Sequence, residues 1–197
     1  MTKRVSGELI GVWKRQSIAI QDDPASEDSD VIWIQAATRY ADLRVALPGY
    51  RVDPLSFAGT LEWDAPVLTF HHELDLSGEG ALDSGRLDDI ASQDLIETGS
   101  FEVGGREIRY REHWQRLTEL HPSFYAFESR SQQGLSAIAV EVADHRLVIS
   151  DDRPAGGVYS AAYARRIRGA WQVQRSIGSR LALAEVADLG TRLTRVD

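Results

Sequence analysis

The chain has 197 residues, 43% hydrophobic and 26% charged, with a net charge of −8 and no cysteine. That composition suits one globular domain with a substantial core, and the missing cysteines exclude disulfides, thiolate metal sites and cysteine nucleophiles. The negative balance argues against a nucleic-acid surface. No apolar run nears the roughly eighteen residues of a membrane span, and a start without a basic and then apolar stretch predicts a non-secreted, cytoplasmic protein.

Residues 8–20, ELIGVWKRQSIAI, read as a first strand that carries Gly11-Val12-Trp13. A glycine two residues before a tryptophan near the chain start is similar to the G-x-W of lipocalin-like barrels, whose indole closes one end. Residues 21–30, QDDPASEDSD, form a polar loop; it lacks the spaced acidic pattern and glycine of an EF-hand, so it reads as solvated rather than Ca²⁺-binding. Residues 31–45, VIWIQAATRYADLRV, read as one long strand with Trp33, Gln35, Ala37 and Arg39 on one parity and Tyr40, Asp42 and Arg44 on the other. A run this long usually bends or bulges. After a turn over 47–54, Phe57, Gly59, Leu61 and Trp63 share a face.

In residues 67–76 the inward set is Leu68, Phe70, His72, Leu74 and Leu76. Adjacent histidines on a strand point to opposite faces, so His71 and His72 cannot chelate one metal. His72 is therefore an inward polar group, either satisfied by a core neighbour or part of a site. Residues 77–94 are polar and Gly-rich, with Leu87 and Ile90 as apolar anchors. They predict a long loop beside a barrel rim, a lid or a surface insertion.

The most informative stretch is 95–115, LIETGSFEVGGREIRYREHWQ. Gly104-Gly105 between alternating runs predicts a two-residue type I′ hairpin. That turn sets Val103 opposite Arg106, Phe101 opposite Ile108, Gly99 opposite Tyr110, Glu97 opposite Glu112 and Leu95 opposite Trp114, all on one core-facing side. Glu97 and Glu112 are the anomaly. Two like charges face to face in a core must find a cation, share a proton or reach water, and Arg39 or Arg44 is the expected cation.

Beyond the hairpin, residues 124–131, 135–142 and 146–150 read as strands, 151–157 as a loop, and 158–167 with 170–177 as a hairpin around Arg168-Gly169. Tyr159, Ala161 and Tyr163 share one of its faces. Residues 179–189 are either a short helix or irregular, and 191–196 a closing strand. About ten short strands and almost no helix predict an all-β, antiparallel barrel. Trp13, Trp33, Trp63 and Trp114 suit a wide interior lined by aromatics, although bulky core packing explains them equally well. The chain has no G-x-S-x-G and no H-E-x-x-H, and nothing like a P-loop or dinucleotide fingerprint; no cofactor or metal is expected.

Glu97-Thr98-Gly99, Tyr110-Arg111-Glu112-His113-Trp114, Ala41-Asp42-Leu43-Arg44-Val45 and Ala187-Asp188-Leu189-Gly190 resemble a fungal and bacterial family whose yeast member interacts with a casein kinase 1 homologue. The resemblance implies a lipocalin-like (calycin-type) barrel and no catalytic activity. The yeast member is longer, and its kinase partner is not carried over. Three functions stay open. In the first, the barrel binds a small hydrophobic or amphipathic molecule between Trp33, Tyr110, Trp114 and Tyr163, with His72, the Glu97–Glu112 pair and Arg39 or Arg44 supplying polarity. In the second, the carboxylates only form a buried ion network in an interaction or structural barrel. In the third, Glu97, Glu112 and His72 perform acid–base chemistry. A protein partner and the oligomeric state stay open too.

Overall fold

The computed structural model describes residues 7–78, 82–178 and 194–196, and strands dominate them. The first eight are β1 (Gly11–Ile20), β2 (Ser29–Gln35), β3 (Tyr40–Ala46), β4 (Leu55–Asp64), β5 (Val67–Asp75), β6 (Leu82–Ile90), β7 (Asp94–Val103) and β8 (Arg106–Arg116). Each pairs antiparallel with the next, and β8 returns to β1, closing a barrel. Then follow β9 (Phe124–Ser131), β10 (Gly134–Val142), β11 (His145–Asp151), β12 (Tyr159–Ile167), β13 (Ala170–Ile177) and β14 (Thr194–Arg195). These form a second sheet in the order β13-β12-β11-β10-β9-β14. The one helical piece among the described residues is a 3₁₀ turn, Arg153–Ala155.

The all-β barrel is thus present, but as eight strands plus a six-stranded sheet instead of one barrel of about ten. Alternation within a strand says which side chains face alike; it cannot say which strands share a sheet. Strand β2 carries the consequence: all seven of its residues are buried. Val31 and Trp33 face the barrel interior, while Ile32 and Ile34 pack with Val12, Leu43, Ile138, Val140, Leu147 and Ile149 between the layers. A strand covered on both sides reads as a continuous apolar run for this reason. The Tyr159 hydroxyl also crosses the layers and donates to the Ser56 carbonyl at 2.8 Å.

The long strand expected over 31–45 is instead the β2–β3 hairpin, turned where the Ala36 amide donates to the Arg39 carbonyl at 2.9 Å. The turn resets parity. Trp33 lies opposite Asp42 and Val31 opposite Arg44, so both strands contribute to the same interior. The loop expected over 77–94 contains a strand, β6, held between β5 and β7. Its polarity hid it: backbone pairing on two sides satisfies its amides without an apolar run.

The β7–β8 hairpin has the register its turn dictates, from Val103 opposite Arg106 to Leu95 opposite Trp114, with Gly104 and Gly105 at φ 57° and 77°. Only its apolar outer end departs from expectation. β6 accompanies β7 no further than Gly99, and β1 accompanies β8 no further than Tyr110. Beyond those points the hairpin projects, leaving Phe101 and Val103 47% and 57% exposed instead of in the core. The second hairpin, around Arg168-Gly169, and the shared face of Tyr159, Ala161 and Tyr163 are as expected. Residues 179–189, and with them Ala187-Asp188-Leu189-Gly190, lie outside the described residues. The strand expected over 191–196 is described only as β14, and it pairs with β9 instead of closing the barrel.

Candidate functional site

Two bulges decide which side chains enter the barrel. In β1 the pairing with β8 shifts between Arg15 and Ser17, so Trp13 and Arg15 face inward before it and Ile18 and Ile20 after it. Between β4 and β5 the register jumps from Gly59–His72 to Ala58–Leu74. His72 consequently stays inward, while Leu74 packs between the layers, correcting the single inward face expected for residues 68–76. Gly59 is required at this point. A Cβ there would lie 1.8 Å from the His71 carbonyl oxygen, too close for any other residue.

Above these bulges the barrel holds a solvent-open cavity of about 720 Å³. Trp33 meets Trp114 edge-on at 5.8 Å and Phe70 at 5.6 Å. Beneath them Trp13 stacks on Trp33 at 6.1 Å, with the Arg116 guanidinium 4.1 Å from its own ring. Phe57 and His72 form one wall, stacked at 4.1 Å. Ile18, Ile20, Leu55, Leu82 and Phe101 also line the cavity, and the high exposure of the last three marks them as its mouth.

The polar groups gather along β3, β6, β7 and β8. Glu97 and Glu112 face each other as expected, each 4% exposed. Glu112 accepts a 2.6 Å hydrogen bond from Arg15, whose remaining nitrogens reach Glu27 at 2.9 Å. The Tyr110 hydroxyl donates to Glu97 at 3.1 Å. Arg44 pairs with Asp42 at 2.9 Å. Burial, followed by the like charges of Glu112 and Asp83, pushes the Glu97 carboxyl up to about 8, so near neutral pH it holds a proton. Burial works against the Arg44 guanidinium, but Asp42 and Glu112 more than offset it and raise its pKa.

Room for these side chains comes from two facing glycines. Gly85 and Gly99 are paired across β6 and β7. A Cβ on Gly85 would come within 2.1 Å of Glu97 Oε1, and one on Gly99 within 2.4 Å of the Tyr110 hydroxyl. Several polar atoms are left without a hydrogen-bond partner, among them Trp114 Nε1, His72 Nε2 and the Tyr40 hydroxyl. On the opposite edge of its ring, His72 Nδ1 lies 3.1 Å from Asp75 Oδ2. Buried unsatisfied groups of this kind are few in native proteins and each asks for an explanation.

Of the residues singled out from sequence, Trp33, Arg44, His72, Glu97, Tyr110, Glu112 and Trp114 line this one cavity. Arg39 does not. It lies in the β2–β3 turn and pairs with Glu73 and Glu128, because the turn directs it away from the interior. Tyr163 is also elsewhere, between the layers with its hydroxyl 2.7 Å from His145 Nδ1. The cation expected from residues 31–45 is present as Arg44, acting through the field, while the direct partner of Glu112 is Arg15. Sequence reasoning missed Arg15, Phe57, Phe70 and Asp83 as site residues. Phe70 and Phe57 were legible as inward alternating positions; Arg15 was hidden by its bulge and Asp83 by the polarity of β6. Among the described residues no cluster of His, Asp and Glu is arranged to hold a metal ion.

Fold and cavity define a two-layer β-barrel protein with an aromatic, acidic interior open at one end. The family model described as Protein HRI1 matches residues 11–180, and the chain belongs to that family. Its fold is similar to the crystal structure of an uncharacterized protein, YLR301w, from Saccharomyces cerevisiae, with a TM-score of 0.66, 14% identity and 86% of each chain covered. At that identity the likeness speaks for the fold alone. No curated protein matches the chain.

Proposed function

We propose that the protein is a non-catalytic, lipocalin-like binding module that holds a small amphipathic molecule in its barrel. One observation carries this reading: a cavity of about 720 Å³ is lined by Trp33, Phe57, Phe70 and Trp114 and holds a few buried polar groups without partners. Its size and its mixture of apolar walls with sparse polar groups match those of small-molecule sites. The Gly11-Val12-Trp13 signature supports the lipocalin likeness, with Trp13 packed beneath the cavity floor.

A bound molecule stabilises the native state by mass action, by about 2.7 kcal/mol at a hundredfold excess over Kd. A thermal-shift screen of fatty acids, tetrapyrroles, flavins, aromatic acids and their amine and alcohol counterparts is the test. Binders are expected to raise Tm and also to change tryptophan fluorescence, since Trp33 and Trp114 form the cavity floor. If no compound moves either signal, the binding reading falls and a structural or interaction barrel takes its place. Turnover of a bound compound, lost in Glu97→Gln while binding persists, would replace it with an enzyme.

A further inference from the structure

We propose that the ligand of the barrel is an amphipathic amine, with its protonated amino group between Asp83 and Glu97 and its apolar body on Trp33, Phe70 and Trp114. The inference rests on the binding reading above and specifies its chemistry. The cavity's polar groups are unevenly matched. Arg15 is divided between Glu112 and Glu27, and Arg44 is held by Asp42. Those two guanidiniums are taken up by Glu27, Glu112 and Asp42, whereas among the described residues Asp83 has neither an ion pair nor a side-chain hydrogen bond and Glu97 receives only the Tyr110 hydroxyl. Both line the cavity.

The unpartnered atoms point the same way. A carboxylate only accepts, so a His72 ring that carries one proton carries it on Nδ1, toward Asp75. His72 Nε2 is then a buried lone pair without a donor. Opposite in sense is Trp114 Nε1, a donor only, 98% buried with the rest of its side chain and without an acceptor. The open demand is therefore mostly for donors and positive charge, with one acceptor required beside it. An alkyl or arylalkyl amine bearing an oxygen near its head meets both demands; a carboxylic acid would bring a further carboxylate to Asp83, which has no cation of its own. The apolar mouth, Leu55, Leu82 and Phe101, suits the remainder of an amphipathic chain.

Proton linkage gives the inference a signature. Glu97 faces Glu112 and Tyr110 on β8 and feels the charges of Asp83 on β6 and Arg44 on β3; Asp42 on β3, His72 on β5 and Glu102 on β7 line the same cavity, and Arg15 on β1 reaches Glu112. In the free protein its carboxyl titrates near 8. An ammonium beside it favours the ionised form, so binding releases a proton and amine affinity rises as pH approaches about 8. The rise stops there and reverses only where the amine itself deprotonates, at roughly 10. A carboxylate ligand behaves oppositely, because it favours protonated Glu97.

The test is calorimetric titration of the folded wild-type chain with 4-phenylbutylamine, 4-phenylbutan-1-ol and 4-phenylbutanoate, which share one body and differ in the head group. The amine is expected to bind at least roughly tenfold tighter than either analogue at pH 8, with an affinity that grows from pH 6 to pH 8. Asp83→Asn with Glu97→Gln should erase the preference and the pH dependence. Equal or tighter binding of the alcohol or the carboxylate overturns the amine inference and leaves the binding module standing. If none of the three binds, the amine inference falls as well, whereas the binding module falls only if the wider screen is also empty. The wild-type head-group and pH comparisons decide the matter even if the double variant does not fold.

Discussion

Two buried glutamates set the two halves of this molecule against each other. Glu141, on the second sheet, accepts from Arg146 at 2.6 Å and from Arg166 at 2.8 Å, and both guanidiniums lie over Trp171, at 4.2 and 4.6 Å. Glu97, in the barrel, has one phenol and two nearby carboxylates. The first is an answered charge. Its arginines stand on β11 and β12, one and two strands away, and the pairs are short and charge-assisted. The second is a carboxyl that burial and like charges keep protonated beside a cavity, and strongly perturbed groups in clefts are where function is to be sought. The same contrast separates the apolar layers. Between the sheets, aliphatic side chains interdigitate; in the barrel, large aromatic rings border an opening.

Substitutions that strike each half differently test this contrast. The largest effect is expected from Ile138→Ala, which leaves a void in the fully enclosed interlayer core and should cost about 3–4 kcal/mol in urea unfolding. Phe57→Ala, on the cavity wall, should cost clearly less per atom removed, because the gap opens onto space that already exists. An equal cost at both positions would mean that the barrel interior is packed like the interlayer core.

Next comes Glu112→Gln. It leaves the buried Arg15 with Glu27 alone and should destabilise by about 2–3 kcal/mol, read as a fall in the urea midpoint. Glu97→Gln should do the opposite. Its carboxyl is pushed up to about 8 in the folded chain from an ordinary 4.5, so between those values the native state holds the extra proton and stability falls as pH rises. The penalty is absent below about 4.5 and fully developed above about 8. Glu97→Gln should flatten that decline and gain about 2 kcal/mol at pH 9, less than the whole shift implies because Glu112 and Asp83 share the titration. A steeper decline in the variant would show that Glu97 is satisfied as an anion.

The smallest effect belongs to the answered glutamate. Trp171→Ala removes the surface on which Arg146 and Arg166 stack and should cost about 1 kcal/mol, with no change in the binding of any compound to the barrel. A loss of barrel binding in this variant would mean that the two halves are coupled.

Residues 95–115 show how far sequence carries. Period-two alternation and the Gly104-Gly105 turn act within a few residues of one another, so they determined the hairpin, its register and the opposition of Glu97 and Glu112 without help from the rest of the chain. The β character of the other elements followed from the same local rules. What only the tertiary structure decided depends on pairings between distant segments, which leave no local signature. Closure of β8 onto β1 delivered Arg15 to Glu112, across ninety-seven positions of sequence. The β2–β3 turn sent Arg39 to Glu73 and Glu128 and left Arg44 inside. The bulge at His72 kept that ring in the cavity while turning Leu74 out of it. The second sheet made β2 a strand buried on both faces and drew Tyr163 into a core that no spacing announces, because burial of that face depends on strands more than a hundred residues away coming to cover it.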